Sequence, residues 1–119
     1  MPASNPHDLL PLQPAAFHIL VALADGEKHG YSIMQETERA TGGEFKLWPG
    51  TLYTSIKRLL DSGLIAESDE RPDPSLDDQR RRYYKLTDLG RTTIALEAER
   101  LRKLVQLADQ RRLTGGGTT

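Results

Sequence analysis

The chain has 119 residues, a net charge of −1, 37% hydrophobic and 28% charged residues, and no cysteine. This length suits one domain with a modest core and this balance a folded, soluble chain, while the missing cysteines exclude disulfides and thiolate metal sites. No run approaches the ~18 apolar residues of a membrane span and no basic-then-apolar leader opens the chain, so a cytoplasmic protein without membrane contact is expected; the net charge excludes coating of nucleic acid through overall charge but not a local basic patch.

Residues 1–12 hold three prolines and no periodic pattern. They read as a flexible arm, with Leu9, Leu10 and Leu12 available to pack on the domain. From Gln13 to Asp25 the chain is almost wholly apolar. Pro14 suits a helix start and Gly26 a helix stop. A helix that is apolar nearly all round must be buried on more than one side. In a small domain the second side is often another subunit, which puts forward Phe17 and Leu20 as dimerisation residues. His18, with no second ligand beside it, reads as a packed or interface histidine rather than a metal ligand.

Gly26-Glu27-Lys28 makes a turn, and a second helix is predicted from about His29 to Thr41, with Tyr31, Ile33, Met34 and Thr37 inward. Thr41-Gly42-Gly43 stops it. Phe45 and Leu47 alternate with polar neighbours in a short extended link. The next stretch, Trp48 to Ile65, dominates the chain. Leu52, Ile56, Leu59 and Leu60 fall on one face of a helix. Pro49 suits its first turn, where a missing N–H costs nothing, and Gly63 suits the left-handed residue that ends it. Thr51, Thr54, Lys57, Arg58 and Asp61 lie opposite. Short hydroxyls, a lysine and an arginine are the side chains that reach base edges and phosphates in a DNA major groove. Alone, this segment also fits an amphipathic surface helix; the residues that follow favour recognition.

Leu64 to Glu67 begins a short strand. Residues 68–79 are acidic and proline-containing and form a loop. Arg80, Arg81, Arg82, Tyr83, Tyr84, Lys85, Leu86 and Thr87 read as a second strand. Two strands around a polar loop, directly after a polar-faced helix, make a wing. Its arginines lie where a wing meets the phosphate backbone, or pair with Asp77 and Asp78 until phosphate replaces those partners. Thr87 can cap a last helix to about Arg112. Ile94, Ala98, Leu101, Val105 and Ala108 recur at near-heptad spacing, widened by Leu104 and Leu107. Such a helix is ~37 Å long, more than the small domain needs, and the surplus suits a two-fold dimer. Residues 114–119 form a Gly/Thr tail with no reason to order.

These pieces resemble the PadR family of transcriptional regulators, in its short form of a winged helix plus one C-terminal helix. The matching residues are His29-Gly30-Tyr31-Ser32-Ile33, Pro49-Gly50-Thr51-Leu52-Tyr53, Lys57-Arg58-Leu59 with Gly63-Leu64-Ile65, and Arg81-Arg82-Tyr83-Tyr84-Lys85-Leu86-Thr87 with Gly90. The resemblance implies a homodimer that binds double-stranded DNA at an inverted-repeat operator, acting as a repressor released by a small aromatic or drug-like effector. It places DNA contacts at Thr51, Tyr53, Thr54, Lys57 and Arg58 on the reading helix and at Arg80, Arg81 and Arg82 on the wing. Many members carry proline where this chain has Thr54, and the wing loop here is unusually acidic. Motif tyrosines in the family often pack with the hydroxyl bonded, which suits Tyr31, Tyr53, Tyr83 and Tyr84.

The expected fold is therefore mostly α with a small β-hairpin wing, in the order α-α-α-β-β-α. Residues 13–87 form the winged helix-turn-helix domain, and residues 88–113 a helix that dimerises through Ile94, Ala98, Leu101, Leu104, Val105 and Ala108. Phe17 and Trp48 are expected to line an apolar effector pocket between the core and the long helix, although Trp48 also suits a core anchor. An enzyme is disfavoured. There is no Ser/His/acid constellation, no metal-ligand spacing among His7, His18 and His29, and no phosphate-binding glycine loop, and Asp77 and Asp78 are adjacent rather than opposed. No cofactor is expected. A winged module that binds protein instead of DNA is the other reading that the acidic wing keeps open.

Overall fold

The computed structural model describes residues 5–68 and 82–112. The acidic wing loop, Arg80, Arg81 and the Gly/Thr tail lie outside the described residues. Within them the helices are α1 (Pro14–Ala22), α2 (Gly30–Ala40), α3 (Pro49–Asp61) and α4 (Asp88–Gln110), and the strands β1 (Lys28–His29), β2 (Ile65–Glu67) and β3 (Tyr83–Leu86). A 3-10 turn at Pro6–Leu9 precedes them.

Helix starts follow local chemistry. Pro14 and Pro49 stand in the first turns of α1 and α3, where a missing N–H and a fixed φ are favourable. Thr87 caps α4: its Oγ1 accepts the Gly90 N–H at 3.0 Å, one of the donors a helix start leaves unpaired. The same hydroxyl donates to the Gly63 carbonyl at 2.6 Å, so one side chain fixes both the helix and the turn after α3. Gly63 ends α3 with φ +80°, a conformation that disfavours any residue bearing a Cβ.

The core is built on α1, which packs against α2, α3 and α4. Ile19, Leu20 and Leu23 of its buried side meet Ile33, Leu52, Ile56, Leu59, Leu64, Ile65 and Tyr84. This three-sided burial is the reason for the unbroken apolar run, and it corrects one expectation: Leu20 is wholly enclosed by its own chain and has no surface to offer a second subunit. Tyr31, expected inward, is instead exposed at the start of α2.

The wing strands pair antiparallel, with Ile65 opposite Leu86, Ala66 opposite Lys85 and Glu67 opposite Tyr84. β3 also pairs on its other edge with β1, Lys28 opposite Tyr84 and His29 opposite Tyr83. The expected turn at Lys28 is thus a third strand, in the order β1-β3-β2. It ties the start of α2 to the wing. The N-terminal segment departs furthest from the expected arm. Asn5 caps its 3-10 turn, the turn packs on α4, and the Leu12 N–H donates to Glu97 Oε2 at 3.0 Å.

Candidate nucleic-acid interface

The two faces of α3 separate as its periodicity predicts. Leu52, Ile56 and Leu59 are buried, while Thr51, Thr54, Lys57, Arg58 and Asp61 are exposed. Gly50, Thr51, Thr54, Ser55 and Arg58 line one shallow open recess. Ser55 was not among the expected contacts, yet Thr51, Ser55 and Arg58 are spaced i, i+4, i+7, a legible signal for one stripe of a helix.

Lys57 and Arg58 differ electrostatically. Lys57 Nζ lies 3.6 Å from Asp61 Oδ2, with the two side chains 78% and 68% exposed. So open an ion pair contributes little to stability and exchanges readily for another anion. Arg58 has no ion pair among the described residues. Tyr53, an expected contact, does not join this face. Its ring packs on the core, and a Cβ at Gly30 would lie 2.7 Å from its hydroxyl oxygen. Glycine at position 30 therefore allows α2 and α3 to meet closely at Tyr53.

Of the three expected wing arginines, only Arg82 is described. Its Nη1 donates to Glu67 Oε2 at 2.9 Å across the base of the hairpin. That pair links the last residue of β2 to the residue before β3 and places a positive group beside the wing strands.

The two residues expected to line an effector pocket are placed differently. Phe17 is half-buried and meets His18 edge-on at 5.9 Å, and His18 stacks on Phe45 at 4.1 Å. Burial lowers the His18 pKa, which favours the neutral ring and suits its place in an aromatic cluster. Trp48 is 67% exposed immediately before α3, so it is not a buried core anchor. Neither residue lines the cavity beside α3. Among the described residues, no cluster of His, Asp or Glu is arranged to hold a metal ion. No described helix is long and apolar enough to cross a membrane.

Three helices, a β-hairpin wing and a short third strand, with a polar α3 face left exposed, form a winged helix-turn-helix. Residues 19–96 match the Transcriptional regulator PadR-like family, and the chain belongs to that family. It is 35% identical over 103 residues to Transcriptional regulator Rv3488 of Mycobacterium tuberculosis, spanning 85% of this chain and 90% of that protein. A PadR family transcription regulator from Clostridium difficile shares the fold at TM-score 0.67 and 24% identity, over 82% of this chain and 97% of the other. Bacillus subtilis PadR, solved in complex with operator DNA, matches at TM-score 0.60 and 26% identity, over 71% of this chain and 45% of that one.

Proposed function

We propose that this protein is a cytoplasmic, homodimeric repressor that binds an inverted-repeat operator in double-stranded DNA and is released by a small-molecule effector. The observation that carries the reading is the exposed α3 face, where Thr51, Thr54, Lys57 and Arg58 stand open to solvent beside the wing. The operator complex of the Bacillus subtilis relative supports it. Residues 13–87 act as the DNA-binding unit and residues 88–113 as the dimerisation helix. Thr51 and Thr54 meet base edges. Lys57, Arg58 and the wing arginines Arg80, Arg81 and Arg82 meet phosphates. With most of these engaged, a dimer makes roughly eight to ten phosphate contacts, each adding about 0.9 to the slope of log affinity against log salt. Two reading helices related by a two-fold axis require half-sites about 10 bp apart, or a multiple of it.

The test is fluorescence anisotropy with a fragment of the promoter upstream of the protein's own gene, measured across a salt series. Binding is expected to be tight at low salt and to weaken steeply as salt rises. Lys57→Ala should weaken binding to every sequence and lower the salt slope by nearly two, one contact per protomer. A slope identical to wild type would remove Lys57 from the phosphate contacts. No binding to the promoter at low salt would overturn the regulator reading and favour a protein partner for the same face.

A further inference from the structure

Trp48 is the only tryptophan in the chain, and it is 67% exposed. Among the described residues it belongs neither to the buried core nor to the partly buried side chains packed on it. It occupies the N-cap of α3, a position that favours Ser, Thr, Asp or Asn, yet its side chain makes no capping hydrogen bond. Neither packing nor capping within the chain therefore accounts for an indole at this place. A large apolar ring left in water gains most from a partner that covers it. Beside it lies the reading face of α3. Pro49, Gly50, Thr51 and Thr54 are all exposed, a Cβ at Gly50 would meet nothing within 4 Å, and the open recess that runs to Arg58 begins at Gly50. This end of α3 is open to a partner as large as a duplex.

We propose that Trp48 reads thymine, its indole packing on the C5-methyl group in the major groove at one base pair of each half-site. The inference rests on the DNA-binding reading above. In helix-turn-helix proteins the N-terminal residues of the recognition helix contact base edges, and Trp48 stands one residue before α3 starts. The base pairs present hydrogen-bond donors and acceptors in that groove, and the thymine methyl is the one apolar substituent among them. An uncharged ring with a single N–H donor cannot neutralise a phosphate, so it adds nothing to the salt dependence that Lys57 and Arg58 supply. Thr51 and Thr54 carry hydroxyls that both donate and accept, and so discriminate weakly between bases. A methyl-reading indole beside them tells T·A from A·T as well as from G·C and C·G. Trp48 thus supplies selectivity, while the cations supply affinity for any sequence.

The experiment uses the full chain and two versions of the promoter fragment, one with thymine and one with uracil at every thymine position, which removes the methyl and keeps the pairing groups. Losing one methyl from an apolar contact weakens binding about fourfold, so a dimer that reads two should bind the uracil fragment about fifteenfold more weakly. Trp48→Ala should weaken binding to the thymine fragment about thirtyfold or more, and keep the wild-type salt slope. It should also shrink the uracil penalty about fifteenfold, whereas Lys57→Ala should keep that penalty in full. Trp48 lies outside the core, so the variant should denature at the wild-type midpoint. On the unaltered protein, acrylamide quenching of the only tryptophan should fall severalfold when the thymine fragment saturates it. No uracil penalty in wild type, or an equal penalty in wild type and Trp48→Ala, would overturn thymine reading, and a ring packed on deoxyribose would give that result. Unchanged acrylamide quenching would overturn the contact itself, and so would a lowered salt slope in Trp48→Ala, which would then act through the phosphate contacts. These outcomes leave the regulator reading standing. Failure of wild type to bind either fragment at low salt would sink that reading and this inference with it.

Discussion

Gly90 is the residue at which the fold has least tolerance. A Cβ there would lie 2.1 Å from the carbonyl oxygen of Leu64. That atom belongs to the backbone of the turn after α3, so no side chain can move aside to make room. Gly50, at the start of α3, faces open space and meets nothing within 4 Å. Gly90→Ala is therefore expected to destabilise the protein by about 3 kcal/mol, the upper range for forced overpacking, while Gly50→Ala should be nearly neutral. Urea denaturation of the two variants checks this. Equal midpoints would mean that the first turn of α4 can back away from Leu64 at little cost. Gly30→Ala sits between these cases, because the obstacle is the hydroxyl end of the Tyr53 side chain, and Tyr53→Phe relieves the tightest of those contacts while leaving the ring carbons.

At the scale of elements, the N-terminal segment and α4 are joined by a buried carboxylate. Glu97 is 2% exposed and accepts from Arg100 Nε at 2.6 Å, Arg100 Nη2 at 2.9 Å and the Leu12 N–H at 3.0 Å. The Arg100 hydrogen bonds hold its pKa below the ordinary value of 4.5, against the opposing effect of burial and with help from the Leu12 amide. A carboxyl group depressed in the folded state contributes stability above its unfolded pKa. That contribution is lost as pH falls through the folded value. Wild type should thus weaken as pH drops from about 5 toward 3, and Glu97→Gln should be less stable at pH 7 by about 2 kcal/mol with a flatter decline in acid. Denaturation at pH 7 and pH 3.5 checks both points; identical losses in the two proteins would show that Glu97 does not govern this acid sensitivity.

This contact also explains where sequence reading stops. Leu12 and Glu97 are 85 residues apart, so although Asn5 before Pro6 is a local turn signal, nothing local shows that the segment docks on α4. The two residues of β1 escape for the same reason, since their pairing is set by Tyr83 and Tyr84 and not by any alternation of their own. By contrast the starts of α1, α3 and α4 were legible, because Pro14, Pro49 and Thr87 act within one turn of themselves. The open face of α3 was legible too, as helical period alone separates Thr51, Thr54, Lys57 and Arg58 from Leu52, Ile56 and Leu59. Tyr53 was legible only as two alternatives, a DNA contact or a packed tyrosine, and its packing against the space that Gly30 leaves favours the second. Trp48 was not legible: composition marks it as an apolar anchor, but it stands exposed at a helix start.

At the scale of the whole molecule, the second half of α4 carries an apolar stripe that no other described residue covers. Along the second half of α4, Leu104, Val105 and Leu107 are 48%, 56% and 47% exposed. Leu101, Leu104, Val105 and Ala108 follow the i, i+3, i+4, i+7 spacing of a packing seam. A contiguous apolar stripe of this kind suits an interface, and under the proposed function two-fold pairing of α4 with its copy would cover it with the same residues from both sides. Under the proposed function that pairing presents two reading helices to one operator. Leu104→Glu with Val105→Glu places four like charges in the paired seam, and neither residue belongs to the buried core. The double variant is expected to sediment as a folded monomer where wild type sediments as a dimer. Its operator affinity should fall by about 100-fold or more, because the second half-site is no longer bound at high effective concentration, and its salt slope should halve, since the phosphate contacts of one protomer are lost. A variant that still sediments as a dimer would move the interface away from this seam. A monomeric variant that keeps full operator affinity would mean that a single winged domain suffices for recognition.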